Sequence, residues 1–333
     1  MAQISTSPSR SRASLDPDGA TQTTSPLVSS PVEVKIPAAS TVVDESVTEH
    51  PGHLHSHGHT RFSLARLDPT AVIAIGVLHL GCIAAPFFFS WSGVAIFVAL
   101  WWVCGGLGIC LCYHRLLTHR SFKTPKWFEY FLTILGTANW QGGPVKWVGE
   151  HRIHHKHSDG EHDPHSPKHG FNWAHMFWAM CKNEPGYEPR DAAKDLLRDP
   201  VMAFIDKHHY VWQFLIAAVL FGAGLAIGGW WLGVSWVVWG VCVRTVFTYH
   251  ATWFVNSAAH TWGYRNYNTD DDSRNNWWVA ILSFGEGWHN NHHATQRSAA
   301  HGHKWYEFDL TYLTIRAFGL VGLARDIVKP KGA

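Results

Sequence analysis

The sequence predicts an all-α membrane protein: four transmembrane helices in two hairpins, with a cytoplasmic helical cap that holds a histidine-rich dimetal site. Three observations carry that expectation. Four apolar stretches, each close to the roughly 20 residues that cross a bilayer, occur in two closely linked pairs. No Lys or Arg occurs between Arg66 and Arg115, nor between Lys207 and Arg244, which the positive-inside rule reads as hairpin tips on the outer side. Three histidine clusters, His114-Arg-Leu-Leu-Thr-His119, His151-Arg-Ile-His154-His155 and His289-Asn-Asn-His292-His293, then all fall on the cytoplasmic side, together with both termini.

Composition agrees. Of 333 residues only 16% are charged, while 19 Trp and 18 Phe are present, a pattern of apolar spans edged by interfacial tryptophans. The net charge of +2, with no basic stripe, argues against a nucleic-acid partner. The six cysteines form no CxxC pair and read as small buried hydrophobes, so thiol redox chemistry finds no support.

Along the chain, residues 1–60 are rich in Ser, Thr, Pro and Ala and predict a disordered leader, with 61–333 forming the folded domain. The leader has no uninterrupted apolar core for a secretory signal, and its acids Asp16, Asp18, Glu33, Asp44, Glu45 and Glu49 argue against an organelle transit peptide. Near its end His53, His55, His57 and His59 alternate and read as a solvated tail. The first pair of spans covers about 70–91 and 93–112, hinged at Ser90-Trp91-Ser92-Gly93. The second covers about 210–229 and 231–251, hinged at Gly228-Gly229-Trp230-Trp231-Leu232-Gly233. Two shorter apolar segments, Trp127 to Trp140 and Trp277 to Phe284, predict helices lying in the membrane interface.

The histidines point to metal. Imidazole suits iron, zinc and copper, and an i, i+3, i+4 spacing puts all three rings of the second and of the third cluster on one helix face. His114 and His119, five apart, would sit roughly 140° apart on an ideal α-helix and share a face only through a distortion. One HxxHH arises by chance in a histidine-rich chain; two, with a HxxxxH on the same side of a bilayer, do not. The isolated His162, His165, His169, His175, His208 and His209 read as structural or solvated. Glu150, Asp159, Asp163 and Glu286 are candidates to orient ligand N–H groups from behind.

The words HRLLTHRSFKTPKW, WVGEHRIHHKHSDGEHDPHSP and NTDDDSRNNWWVAILSFGEGWHNNHH resemble the membrane fatty-acid desaturases, within the acyl-lipid and acyl-CoA delta-9 group and nearest its plant and cyanobacterial type. The resemblance runs from about residue 68 to 320. It implies a centre of two iron ions (Fe2+/Fe3+) held by His114, His119, His151, His154, His155, His289, His292 and His293. The family's ninth histidine corresponds to His260 in Asn256-Ser-Ala-Ala-His260, and Asn256 would hold a metal-bound water. The implied reaction is O2-dependent desaturation of a saturated C16 or C18 chain, placing a cis double bond at about the delta-9 position.

Trp147 resembles a tunnel-wall residue of the family, and bulky Trp101 and Trp102 stand where relatives close the tunnel's far end. Acyl-CoA members tend to carry a basic residue two places before the second box; Gly149 stands here and favours an acyl-lipid substrate. His50-Pro-Gly-His53 superficially resembles a haem-binding cytochrome b5 word but lacks its pattern and a domain around it. Electrons are therefore expected from a separate ferredoxin or cytochrome b5, drawn to basic residues such as Arg115, Arg120, Lys123, Lys126, Lys146 and Lys156. A diiron hydroxylase or other lipid oxygenase is the nearest alternative; a non-enzymatic metal-binding membrane protein is the alternative of another class. Endoplasmic reticulum, thylakoid and bacterial inner membrane all fit as the host membrane.

Overall fold

The computed structural model describes residues 62–184 and 186–330; the expected leader, with its alternating histidines and the His50-Pro-Gly-His53 word, lies outside the described residues. Among the described residues the chain is helical, with only isolated bridges such as Tyr264–Asn275 and Asn275–Trp288 in place of strands. α1 (Pro69–Ile83) starts because the Asp68 carboxylate accepts from the amides of Thr70 and Ala71 and Pro69 fits the first turn. It is shorter than the expected span 70–91. Helical pairing stops at Ile83 and Pro86 follows in the turn, so its 15 residues reach only about 22 Å.

The Ser90 hydroxyl accepts from the Gly93 amide and starts α2 (Trp91–Leu100). The helix then runs unbroken into a π-helix, Trp101–Thr118, whose bonds join residues five apart. Together, Trp91–Thr118 is one of two helices among the described residues that are long and apolar enough to cross a membrane. α3 (Lys126–Thr137) crosses the π-helix where two glycines meet: a Cβ on Gly108 would lie 2.5 Å from the Gly136 nitrogen. α4 (Pro144–His157) carries the second histidine cluster. α5 (Phe171–His175) follows, and α6 (Pro189–Ala192), α7 (Lys194–Leu197) and α8 (Pro200–Lys207) pack against α4.

The second membrane-length run, Val211–His260, comprises α9 (Val211–Val237), a π segment Val238–Val243, and α10 (Arg244–Ser257). It is broken where expected, at Gly228 and Gly229, the latter with φ of 79°, which a side chain would resist. Its arms run antiparallel: a Cβ on Gly224 would lie 2.7 Å from the Gly233 Cα, and Gln213 donates to the Thr245 hydroxyl at 2.7 Å. Buried Arg244 joins this hairpin to α3, donating to the Ala138 carbonyl, the Asn139 side chain and the Gln213 side chain. α11 (Trp277–Leu282), α12 (His289–Ala294) and α13 (Leu310–Leu320) complete the chain. The expected interfacial segments form α3 and α11, and each turns a tryptophan outward: Trp127 is 62% exposed and Trp277 64%.

Candidate metal centre

The π-helix resolves the spacing problem of the first cluster. With His119 N–H bonded to the His114 carbonyl, and the Thr118 hydroxyl to that of Tyr113, residues five apart stack one turn above each other. The His114 and His119 rings consequently meet edge to face with centroids 4.8 Å apart. Arg120 then takes φ of 51° and the Ser121 amide returns to the Arg115 carbonyl, a left-handed cap that ends the helix directly after the ligand.

Around this pair the three clusters converge into two groups. His114, His119, His151, His155 and His292 present nitrogens within 4.8 Å of one another, as do His154, His260, His289 and His293. The groups adjoin, with the His155 and His293 rings 4.6 Å apart. Each HxxHH therefore serves both groups: its first and third histidines do not travel together with the middle one. Both sets are of the kind that could hold a metal ion.

Carboxylates stand behind the rings. Glu286 lies 2.6 Å from His114 Nδ1, Asp163 3.0 Å from His154 Nδ1, Asp159 3.0 Å from His260 Nδ1 and Asp271 2.5 Å from His293 Nδ1. Each fixes the proton on Nδ1 and leaves the Nε2 lone pair facing the centre. The inward nitrogens fit a cation: Nε2 of His119, His154 and His260 are buried without a hydrogen-bond partner. Pairs of Nε2 atoms also crowd together, at 3.1 Å between His114 and His292 and 2.9 Å between His155 and His292.

Electrostatics keeps the rings available. Burial, then the neighbouring imidazoles, holds His119, His151, His155, His289 and His292 well below the usual histidine range. Burial brings His293 down to about 4 against the pull of Asp271. His154 is the exception: burial opposes its charge, but Asp163 outweighs that and raises it.

Of the four acids singled out in the sequence, Glu150 departs from expectation. It points away from the imidazoles to Lys146, at 3.4 Å, on the wall of a neighbouring cavity. Two participants carried no sequence signal. Asp271 is the middle of three successive aspartates, and the loop singles it out through the Thr269 and Ser273 hydroxyls. His301, fully buried, stacks on His292 with centroids 4.3 Å apart and reaches Glu286 at 3.0 Å. His165, read as an ordinary histidine, is buried against His154 with centroids 4.4 Å apart.

A cavity of about 180 Å³ approaches the centre between α1, α4 and α10, lined by Ile75, Trp147, His151, Tyr249, Thr252, Trp253 and Asn256. A smaller one of about 50 Å³ continues inward past Trp147, Thr252 and Asn256 to His114, His289 and Cys110. Trp147 stacks on His151 and is held by the Gln141 side chain, which in turn donates to Thr252. These contacts hold the Trp147 ring in place on the wall beside the imidazoles. Trp101 packs on Phe284 below the inner cavity, with centroids 4.6 Å apart, whereas Trp102 is 37% exposed and lines neither cavity.

Comparison with known proteins agrees with this site. The family model described as fatty acid desaturase matches residues 89–320. The chain is 50% identical to the sn-1 stearoyl-lipid 9-desaturase of Anabaena variabilis over 252 residues, 75% of this chain and 90% of that one. It is 42% identical to the sn-2 palmitoyl-lipid 9-desaturase of Nostoc sp. (strain 36) over 268 residues, 79% of this chain and 91% of that one. An acyl-CoA 5-desaturase of Anemone leveillei is 44% identical over 264 residues, 78% and 79% of the two chains. These relatives are named as desaturases of lipid-bound or CoA-bound acyl chains, and the converging imidazoles are a set that could hold the metal of such an enzyme. The chain belongs to the fatty acid desaturase family and is a membrane-associated oxidoreductase.

Proposed function

We propose that this enzyme places a cis double bond at about the ninth carbon of a saturated C16 or C18 chain carried on a membrane lipid, using two irons. The observation that supports this best is the cavity past Trp147, which meets the imidazole centre at His114, His151 and His289. In this reading His114, His119, His151, His155 and His292 hold one iron. His154, His260, His289 and His293 hold the other, with Asn256 contributing through a water. The bound irons supply the O2-dependent oxidation that an unactivated C–H bond demands and no side-chain acid or base can perform. The chain's own residues do the positioning: Trp147, Gln141 and Thr252 bend the acyl chain past the centre, and the carboxylates hold the ring tautomers.

Removing one hydrogen from each of two adjacent methylenes while reducing O2 to two waters consumes two electrons and two protons from outside. A separate ferredoxin or cytochrome b5 supplies the electrons. α1 extended by the apolar turn that follows it to Phe89, the Trp91–Thr118 helix and the two arms of Val211–His260 would then form four spans, with both termini and the imidazole centre on the cytoplasmic side. Residues 61–333 form the desaturase domain and 1–60 a leader.

The chamber beside the cavity favours a lipid over acyl-CoA. It holds about 530 Å³ and is lined by Glu150, Glu184, Glu188 and Asp191 against Arg66, Lys146 and Lys182. Four carboxylates among three cations, with Arg66 on Glu184 and Lys146 on Glu150, leave the chamber no positive excess to hold a polyanionic nucleotide carrier. A basic side chain cannot be added at position 149, since a Cβ there would lie 1.8 Å from the Pro189 carbonyl oxygen. Expression in a desaturase-deficient host tests the proposal: a new delta-9 monoene is expected, absent with His292→Ala. A hydroxylated acid in its place would make the enzyme an oxygenase of another kind.

A further inference from the structure

On the desaturase reading, the centre must draw electrons from outside the chain, and we infer that they arrive through one open pocket of the cap, where an acidic one-electron carrier protein docks directly over His119 and His155. This pocket, of about 410 Å³, is floored by those two imidazoles and rimmed by Arg120, Arg152 and Arg297. It has no residue in common with the acyl cavities, which meet the same five-histidine group at His114 and His151. Substrate and electrons thus reach one group of ligands by separate routes, and a docked carrier leaves the acyl path clear.

Charge identifies the partner. Asp195 is the pocket's one acid; it takes a two-pronged bond from Arg152, at 2.6 and 3.2 Å, and a further bond from Arg120. Three guanidinium groups against one carboxylate leave a net excess of two positive charges at the rim. Arg297 is exposed and has no acidic partner among the described residues. The left-handed backbone at Arg120 places its guanidinium beside the pocket immediately after the ligand His119. Four of the other basic residues that the sequence offered for docking are engaged elsewhere, Arg115 with Glu286 and Asp309, Lys126 with Glu129 and Asp199, Lys123 with Asp326 and Lys146 with Glu150, and Lys156 does not line this pocket. A small, charged concavity suits the brief, electrostatically steered encounters of redox partners.

The test uses the full-length, iron-loaded protein in lipid nanodiscs with a plant-type [2Fe–2S] ferredoxin as the probe. Arg120→Glu with Arg297→Glu is expected to weaken ferredoxin binding at low salt at least tenfold and to flatten its salt dependence. Turnover of the Arg297→Glu enzyme reduced chemically with dithionite should stay unchanged. Arg297→Glu alone, at an exposed and unpaired position, should shift binding in the same direction without risk to the fold. Lys168→Glu, an equal charge reversal elsewhere on the cap, should leave binding as in the wild type. Rim variants that bind like the wild type, an equal loss from Lys168→Glu, or a wild type that does not bind ferredoxin would each overturn the inference. Binding is measured apart from turnover. Dithionite-reduced wild type that forms no unsaturated product would therefore count against the desaturase reading, while the binding comparison still decides the docking site.

Discussion

Four imidazoles at the centre, His114, His154, His260 and His293, use both nitrogens, one for an acid behind the ring and one for the space in front. That division explains which acids matter. Glu286, Asp163 and Asp159 lie close in sequence to a histidine cluster and could be read from it, whereas Glu150, equally close, is turned toward Lys146 one helical turn earlier. Asp271 and His301 depend on how loops fold back, which no spacing rule encodes. Asp163→Asn keeps the size but loses the charged acceptor; iron affinity or turnover should fall about 10–100-fold, read from iron content and single-turnover rate. The buried histidines also make the metal-free protein acid-sensitive. Burial brings His301 to about 4, aided by Arg115, and brings His165 to about 3, both below the unfolded value of 6.5. The unfolded chain therefore takes up more protons as pH falls below about 6.5, and stability present above that pH is lost toward pH 4. At pH 5 each costs on the order of 2 kcal/mol. Thermal unfolding of the metal-free protein should occur at a lower temperature at pH 5 than at pH 7.5, and His301→Gln should reduce that difference.

At the scale of elements, hydrophobic pattern located the helices well but not their hydrogen bonding. Apolar runs, the hinge at Ser90-Trp91-Ser92-Gly93 and the Gly228-Gly229 break were all legible because local chemistry sets them. The π-helical register was not, since it leaves the apolar pattern of Trp101–Thr118 unchanged while bringing His114 and His119 together. α1 fell short of its apolar run because a side-chain pattern does not report where helical pairing ends. The crossing of α3 over the π-helix depends on two glycines in backbone contact. Gly108→Ala should force the helices apart and destabilise by about 1–3 kcal/mol, measured by thermal unfolding, with weaker activity. Gly76→Ala, which meets nothing within 4 Å, should be silent in the same assay apart from a small gain in helix propensity.

For the whole molecule, the cavity past Trp147 and the pocket over His119 and His155 reach the imidazoles with no lining residue in common, and the chamber lined by Glu184, Glu188 and Asp191 shares Lys146 and Glu150 with that cavity. The near balance of charge in the chamber makes a substrate prediction. Reduced enzyme offered stearoyl glycerolipid in vesicles should convert it at least tenfold faster than stearoyl-CoA, by gas chromatography of the product; a preference for the CoA thioester would contradict the chamber argument. The central claim concerns the two imidazole groups as two separate iron sites, and metal analysis of purified protein tests it most directly. The account predicts two irons per chain in the wild type and one in each of His119→Ala and His260→Ala, which touch different groups. A single iron in the wild type, or two retained in both variants, would contradict it.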